Sequence, residues 1–70
     1  MLPLNFAALD EELIIRRIGG KPEVKKHLEN LGFVPGSEIR MLNRVSGYLI
    51  VKVKESRIAI NEEMANRIMV

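Results

Sequence analysis

The sequence predicts a mainly β chain, a small barrel of about five short strands with one covering α-helix and a single helical turn before the last strand. Three observations carry this reading. Short runs of β-branched or alternating apolar residues recur along the chain, and each is stopped by Gly, Pro or Ser. Only one stretch repeats its apolar residues at helical spacing. And the chain has 70 residues with no cysteine and one histidine, so neither disulfides nor a Cys/His zinc site can supplement a thin core. Closing the strands into a barrel is the simplest remedy, because closure removes exposed edges.

The elements follow in order. Glu12-Leu13-Ile14-Ile15-Arg16-Arg17-Ile18 is β-branched and ends at Gly19-Gly20, which reads as one strand. Pro22 suits a first helical turn, and Glu23 behind it favours the positive end of the dipole. Val24, Leu28 and Leu31 then share one helix face, and Gly32 stands where a helix C-terminus takes a left-handed residue. Pro35-Gly36 fits the two central positions of a type II turn. Ile39 and Met41 begin an alternating run that reaches Val45, and Ser46-Gly47 turns it into Tyr48–Lys54, with Leu49, Val51 and Val53 on one face. Lys54-Glu55-Ser56 turns once more into Arg57–Ile60. Asn61 is an N-cap for one helical turn with Glu62 and Glu63 behind it, and Ile68-Met69-Val70 closes the chain as a strand. The whole of 1–70 reads as a single domain, without repeats or linkers.

Composition narrows function. Eleven basic and nine acidic residues give a net charge of +2, too slight to imply nucleic acid unless the basic residues cluster. The densest positive stretch is Arg16, Arg17, Lys21, Lys25 and Lys26, but Glu23 and Glu29 interrupt it and no aromatic residue is interleaved for base stacking. His27 is the only imidazole and lies off the apolar helix face, so it reads as a solvated residue and not a metal ligand. The adjacent pairs Glu11-Glu12 and Glu62-Glu63 aim their side chains apart, whereas acid/base chemistry needs convergence. Gly19-Gly20-Lys21 lacks the frame of a phosphate loop. The expectation is therefore a non-enzyme with no cofactor and no metal site. No apolar run approaches the roughly 20 residues that cross a bilayer. The apolar N-terminus lacks the basic start of a signal peptide, so a soluble cytoplasmic chain is expected.

The stretch Leu28-Glu29-Asn30-Leu31-Gly32-Phe33-Val34-Pro35-Gly36-Ser37-Glu38-Ile39 resembles the signature of the FeoA-like family, in which a helix ending in Leu-Gly-Leu/Phe leads through x-Pro-Gly-Ser/Thr into a strand. Ile58-Ala59-Ile60 followed by Ala65, Ile68 and Val70 resembles that family's closing pattern, and Arg17-Ile18-Gly19-Gly20 also fits. The resemblance runs from Leu4 to the end. Where the family often has a Pro-Gly turn before the first strand, this chain has Leu9-Asp10-Glu11, and its Ser46-Gly47 turn is shorter than in many relatives.

The resemblance implies an SH3-like barrel and a role in ferrous-iron uptake. A free-standing chain of this kind is similar to the small cytoplasmic accessory protein thought to act with the FeoB-type membrane permease, which carries a cytoplasmic GTP-binding domain. The leading expectation is a protein-interaction module that docks on that permease. If Ile39, Met41, Leu49, Val51 and Val53 face inward, then Leu42, Tyr48 and Ile50 face outward, and these three with Lys25 and Lys26 form the candidate partner-binding set. Two alternatives stand beside it: a small nucleic-acid-binding barrel, and the SH3-like module of a metal-dependent repressor. A second copy of the chain is also a candidate partner.

Overall fold

The computed structural model describes every residue from Met1 to Val70. Its elements are a 3-10 turn (Leu4–Phe6), β1 (Glu12–Ile14), β2 (Arg17–Ile18), α1 (Pro22–Asn30), β3 (Glu38–Val45), β4 (Tyr48–Val53), β5 (Ser56–Asn61), α2 (Glu62–Ala65) and β6 (Ile68–Met69). Four strands form one antiparallel sheet in the order β1-β3-β4-β5, and β2 pairs antiparallel with β6 in a second sheet.

The strands number six because the first predicted strand breaks at Ile15-Arg16. Here the chain changes partners. Ile15 donates its amide to the Ser37 carbonyl at 3.0 Å and accepts from the Gly36 amide at 2.8 Å, while the Arg16 amide donates to the Met69 carbonyl at 2.7 Å. One apolar run therefore serves β3 on one side of the break and β6 on the other. Composition cannot mark such a corner, since Ile14 and Ile15 look alike in sequence although only Ile15 is buried.

Helix α1 ends as its sequence requires. Gly32 takes a φ of +104°, its amide reaches the Glu29 carbonyl at 2.9 Å, and the Phe33 amide reaches the Leu28 carbonyl at 2.9 Å. This pair of bonds is a Schellman cap, which glycine alone enters without penalty. The cap brings Phe33 back over Leu28, and both are completely buried. Val34-Pro35-Gly36-Ser37 then closes the expected turn, with the Ser37 amide on the Val34 carbonyl at 3.0 Å and Gly36 at a φ of +91°.

Both hairpins have two-residue turns. Ser46 and Gly47 each have positive φ, +43° and +82°, which gives the hairpin a turn of type I′ whose twist matches the strands. Between Met41 and Asn43 the register slips by one residue. Leu42 is the extra residue of a β-bulge.

The core holds fourteen buried residues, all apolar. It joins the inner strand phases (Ile39, Met41, Leu49, Val51, Val53, Ile60) to Leu28 and Phe33, with Ile15, Ile18 and Ile68 from the corner and the second sheet. It also takes Leu4 and Ala7 from the N-terminal lead-in, which periodicity does not flag. That lead-in is tied down three ways. Leu2 and Val70 exchange backbone hydrogen bonds of 2.9 and 2.8 Å. The Arg44 guanidinium donates to the carbonyls of Asn5 and, at 3.3 Å, of Ala7. Finally, the Asp10 amide donates to the Met41 carbonyl at 2.8 Å. Asp10 has a φ of +59°, a left-handed conformation that Asp tolerates better than most residues. Asp10 thus makes the turn that leads into β1.

A lead-in that belongs to the core has a measurable signature. Leu4→Ala should lower unfolding free energy by about 2–4 kcal/mol in urea titration. Phe6→Ala two residues on, at a side chain 72% exposed, should change it by less than about 0.5 kcal/mol. Equal, near-zero effects would mean that the lead-in is a dispensable tail.

Candidate functional site

The sheet places its side chains by alternation, and β4 carries the main consequence. Leu49, Val51 and Val53 point into the core, so Tyr48, Ile50 and Lys52 line the opposite face. The register sets Val45 and Asn43 beside Tyr48 and Ile50 on one flank, and Asn61 and Ala59 beside them on the other. Tyr48 is 54% exposed and Val45 47%. Ile50 and the bulged Leu42 are half-buried. An apolar strip of Val45, Tyr48 and Ile50 with the small Ala59 therefore crosses the outer face of three strands. Helix α1 does not cover it, because Leu28 and Val24 pack on the core and so hold α1 on the inner side of the sheet.

This geometry divides the expected partner-binding set. Leu42, Tyr48 and Ile50 stand on the outer sheet and the adjoining bulge. Lys25 and Lys26 are exposed on α1, whose attachment to the core side keeps them off that surface. Sequence alone could not separate them, since only the side on which the helix packs decides it. Val45 was missed for a different reason: the bulge at Leu42 shifts the phase, so a simple alternation from Met41 places Val45 inward.

A second feature also depends on register. Arg40 lies opposite Lys52, and Lys52 lies opposite Arg57, so three cations form one row across β3, β4 and β5. Like charges at directly opposed strand positions repel. Arg40 is relieved at one end of the row, where its guanidinium meets the Glu12 carboxylate at 3.0 Å. Neither Lys52 nor Arg57 has a carboxylate partner. The row borders an open groove of about 800 Å³ that Asp10, Glu38 and Lys54 also line. These residues are far apart in sequence, and only the shared outward phase of Arg40, Lys52 and Arg57 hints at them.

His27 lies beside a smaller depression of about 300 Å³ between α1 and α2, with Glu23, Glu63, Met64 and Arg67. Glu63 is engaged by Arg67 at 3.7 Å. Nowhere do three His, Asp or Glu side chains group as metal ligands would. Asn61 caps α2 as its sequence suggests, its Oδ1 accepting from the Met64 amide at 2.8 Å. No helix is long and apolar enough to cross a membrane.

Comparison with known proteins adds three findings. Residues 2–70 match the family model of the FeoA domain. The chain is 34% identical over 70 residues to a candidate Fe(2+) transport protein A of Methanocaldococcus jannaschii, covering all of this chain and 85% of that protein. Among solved structures, an iron uptake regulatory protein (FeoA) superposes with a TM-score of 0.87 at 28% identity, over 96% of this chain and 89% of the other. FeoA of Stenotrophomonas maltophilia, complexed with zinc and described as a procaryotic SH3 domain protein, superposes with a TM-score of 0.85 at 24% identity, over 99% and 88% of the two chains. The barrel is SH3-like.

The cation row should cost stability. Lys52→Glu places a carboxylate between Arg40 and Arg57 and should raise unfolding free energy by about 0.2–1 kcal/mol at low salt. The gain should shrink when screening is strengthened toward about 1 M salt. Thermal melts at both ionic strengths measure it, and a lower midpoint at low salt would remove the repulsion argument.

Proposed function

This chain belongs to the FeoA domain family, and from that premise we propose that it is a non-catalytic accessory protein of ferrous-iron uptake that docks on the cytoplasmic part of a FeoB-type permease. The observation that carries the reading is the uncovered apolar strip on the outer sheet. Tyr48 and Val45 are about half exposed there, with Ile50 and Leu42 beside them. Contiguous apolar surface on a small domain marks an interaction site more often than isolated exposed residues do. Tyr48 is well suited to anchor it, since tyrosine offers large contact area and a hydroxyl at small entropic cost. The core, by contrast, contains no buried polar or charged residue, so the interior is devoted to holding the barrel.

Docking on this surface makes a discriminating prediction. Titration with the permease's soluble domain should give a Kd below about 100 μM. Tyr48→Glu should weaken binding at least tenfold, about 1.4 kcal/mol, with little change in melting temperature because the side chain contributes nothing to the core. Lys25→Glu and Lys26→Glu should bind as the native chain does. An absence of binding at about 100 μM would remove the docking reading.

A further inference from the structure

The four-stranded sheet has two free edges, β1 and β5. Strand β1 is three residues long and carries Glu12, which makes it a poor template for pairing. Strand β5 is six residues long, Ser56-Arg57-Ile58-Ala59-Ile60-Asn61. It has no proline and no bulge, and Arg57 is its only charge. Edges of this length are normally defended by such devices or covered by another element.

The β4–β5 hairpin fixes which backbone groups are free. Val53 and Ser56 flank its two-residue turn, so they form the hydrogen-bonded pair beside it. Alternation makes Val51–Ile58 and Leu49–Ile60 the next such pairs. Beyond the strand, the Glu62 amide donates to the Gly47 carbonyl at 3.2 Å, in phase with that assignment. The backbone of Arg57, Ala59 and Asn61 therefore faces away from β4, and all three residues are exposed. None of the turn, loop or cap hydrogen bonds uses the backbone of Arg57 or Ala59.

We infer that two copies of this chain pair edge to edge through β5, antiparallel about a twofold axis at Ala59. Isologous pairing requires a self-complementary edge, and this edge meets that condition in one register. Centring on Arg57 would oppose two guanidinium groups. Centring on Ala59 uses all three outward positions: Ala59 meets the second copy's Ala59, and Arg57 meets its Asn61. The Asn61 carbonyl is committed to the first turn of α2, so the three pairs supply about four backbone bonds, two at Ala59 and one from each Asn61 amide to an Arg57 carbonyl. Charge agrees with the geometry. The start of β5 carries a net positive charge, Lys52, Lys54 and Arg57 outweighing Glu55, and its end runs into Glu62 and Glu63. Antiparallel pairing sets the cationic end of one copy against the anionic end of the other. On the barrel side, Ile58, half-buried in one copy, lies opposite Ile60 of the second and loses its remaining exposure. The methyl group of Ala59 lets the two backbones approach without obstruction at the axis.

The test needs only the intact chain. Sedimentation velocity from about 10 μM to about 1 mM should report a reversible monomer–dimer equilibrium. In a sample mixed from isotope-labelled and unlabelled chains, a filtered nuclear Overhauser experiment should give a cross-copy contact between the α-protons of Ile58 and Ile60, which antiparallel non-hydrogen-bonded pairs bring close. Ala59→Pro removes an amide that the barrel does not use and should raise the dimer dissociation constant at least tenfold. Ala59→Lys keeps every intrachain backbone bond, opposes two ammonium groups at the axis and should do the same, so a folding defect in one variant leaves the other decisive. A monomer throughout the range, a dimer retained by both variants, or cross-copy contacts at Tyr48 instead of β5 would each overturn the inference. Pairing is independent of permease docking: Tyr48→Glu, which weakens docking, lies on β4 and not on the β5 edge, so it should leave the dimer dissociation constant unchanged, and a dimer lost in that variant would mean that the apolar face and not β5 joins the copies.

Discussion

The whole barrel depends on a terminal strand two residues long being bonded on both edges. On one side β6 pairs with β2, Arg17 opposite Met69 and Ile18 opposite Ile68. On the other side Pro3 bridges to Met69, and Leu2 exchanges hydrogen bonds with Val70. Each contact alone is short, and a two-residue strand has no independent stability. Together they join the two ends of the chain, and they place Leu4 and Ile68 in the core with zero exposure. A chain of this size cannot afford an open side. Hence three apolar residues at its end, and an apolar lead-in at its start, are structural necessities that meet each other.

What sequence revealed and what it hid divide along a physical line. Local rules were legible where one residue type has one conformational answer. Gly32 ends the helix because the Schellman cap needs positive φ, Pro35-Gly36 turns, and Asn61 caps. Alternation was legible in β4, where Leu49, Val51 and Val53 are all buried. Hidden features were those created by pairing between distant segments. The corner at Ile15-Arg16 exists because β3 and β6 offer different partners. The bulge at Leu42 exists because β3 has one residue more than β4 over the same span. The lead-in enters the core because Arg44, 37 residues from Ala7, clamps its carbonyls.

The candidate site follows the same division. Tyr48 and Ile50 could be assigned outward because β4 is regular, whereas the place of Lys25 and Lys26 depended on which side of the sheet receives α1. The cation row was hidden more deeply, because Arg40, Lys52 and Arg57 gain their relation only through two registers at once. Like charges set side by side in a domain with no stability to spare point to a surface kept for contact and not for cohesion. The Glu12–Arg40 pair offers little relief, since Glu12 is largely solvated, Arg40 is still 40% exposed, and exposed ion pairs contribute at most about 1 kcal/mol.

Face and edge are compatible because a sheet twists. Adjacent strands rotate by roughly 20–25°. From β4 of one copy to β4 of a β5-paired second copy there are three strand steps, a rotation of about 60–75° across about 14 Å. The two Tyr48 rings would therefore face different directions and could not bury each other, although the strips meet at Ala59 on the axis. Pairing through the edge uses backbone groups that the apolar face does not need, and it leaves that face open on both copies. A small barrel can in this way present two equivalent docking surfaces at a fixed angle, while each copy keeps its interior wholly for its own fold.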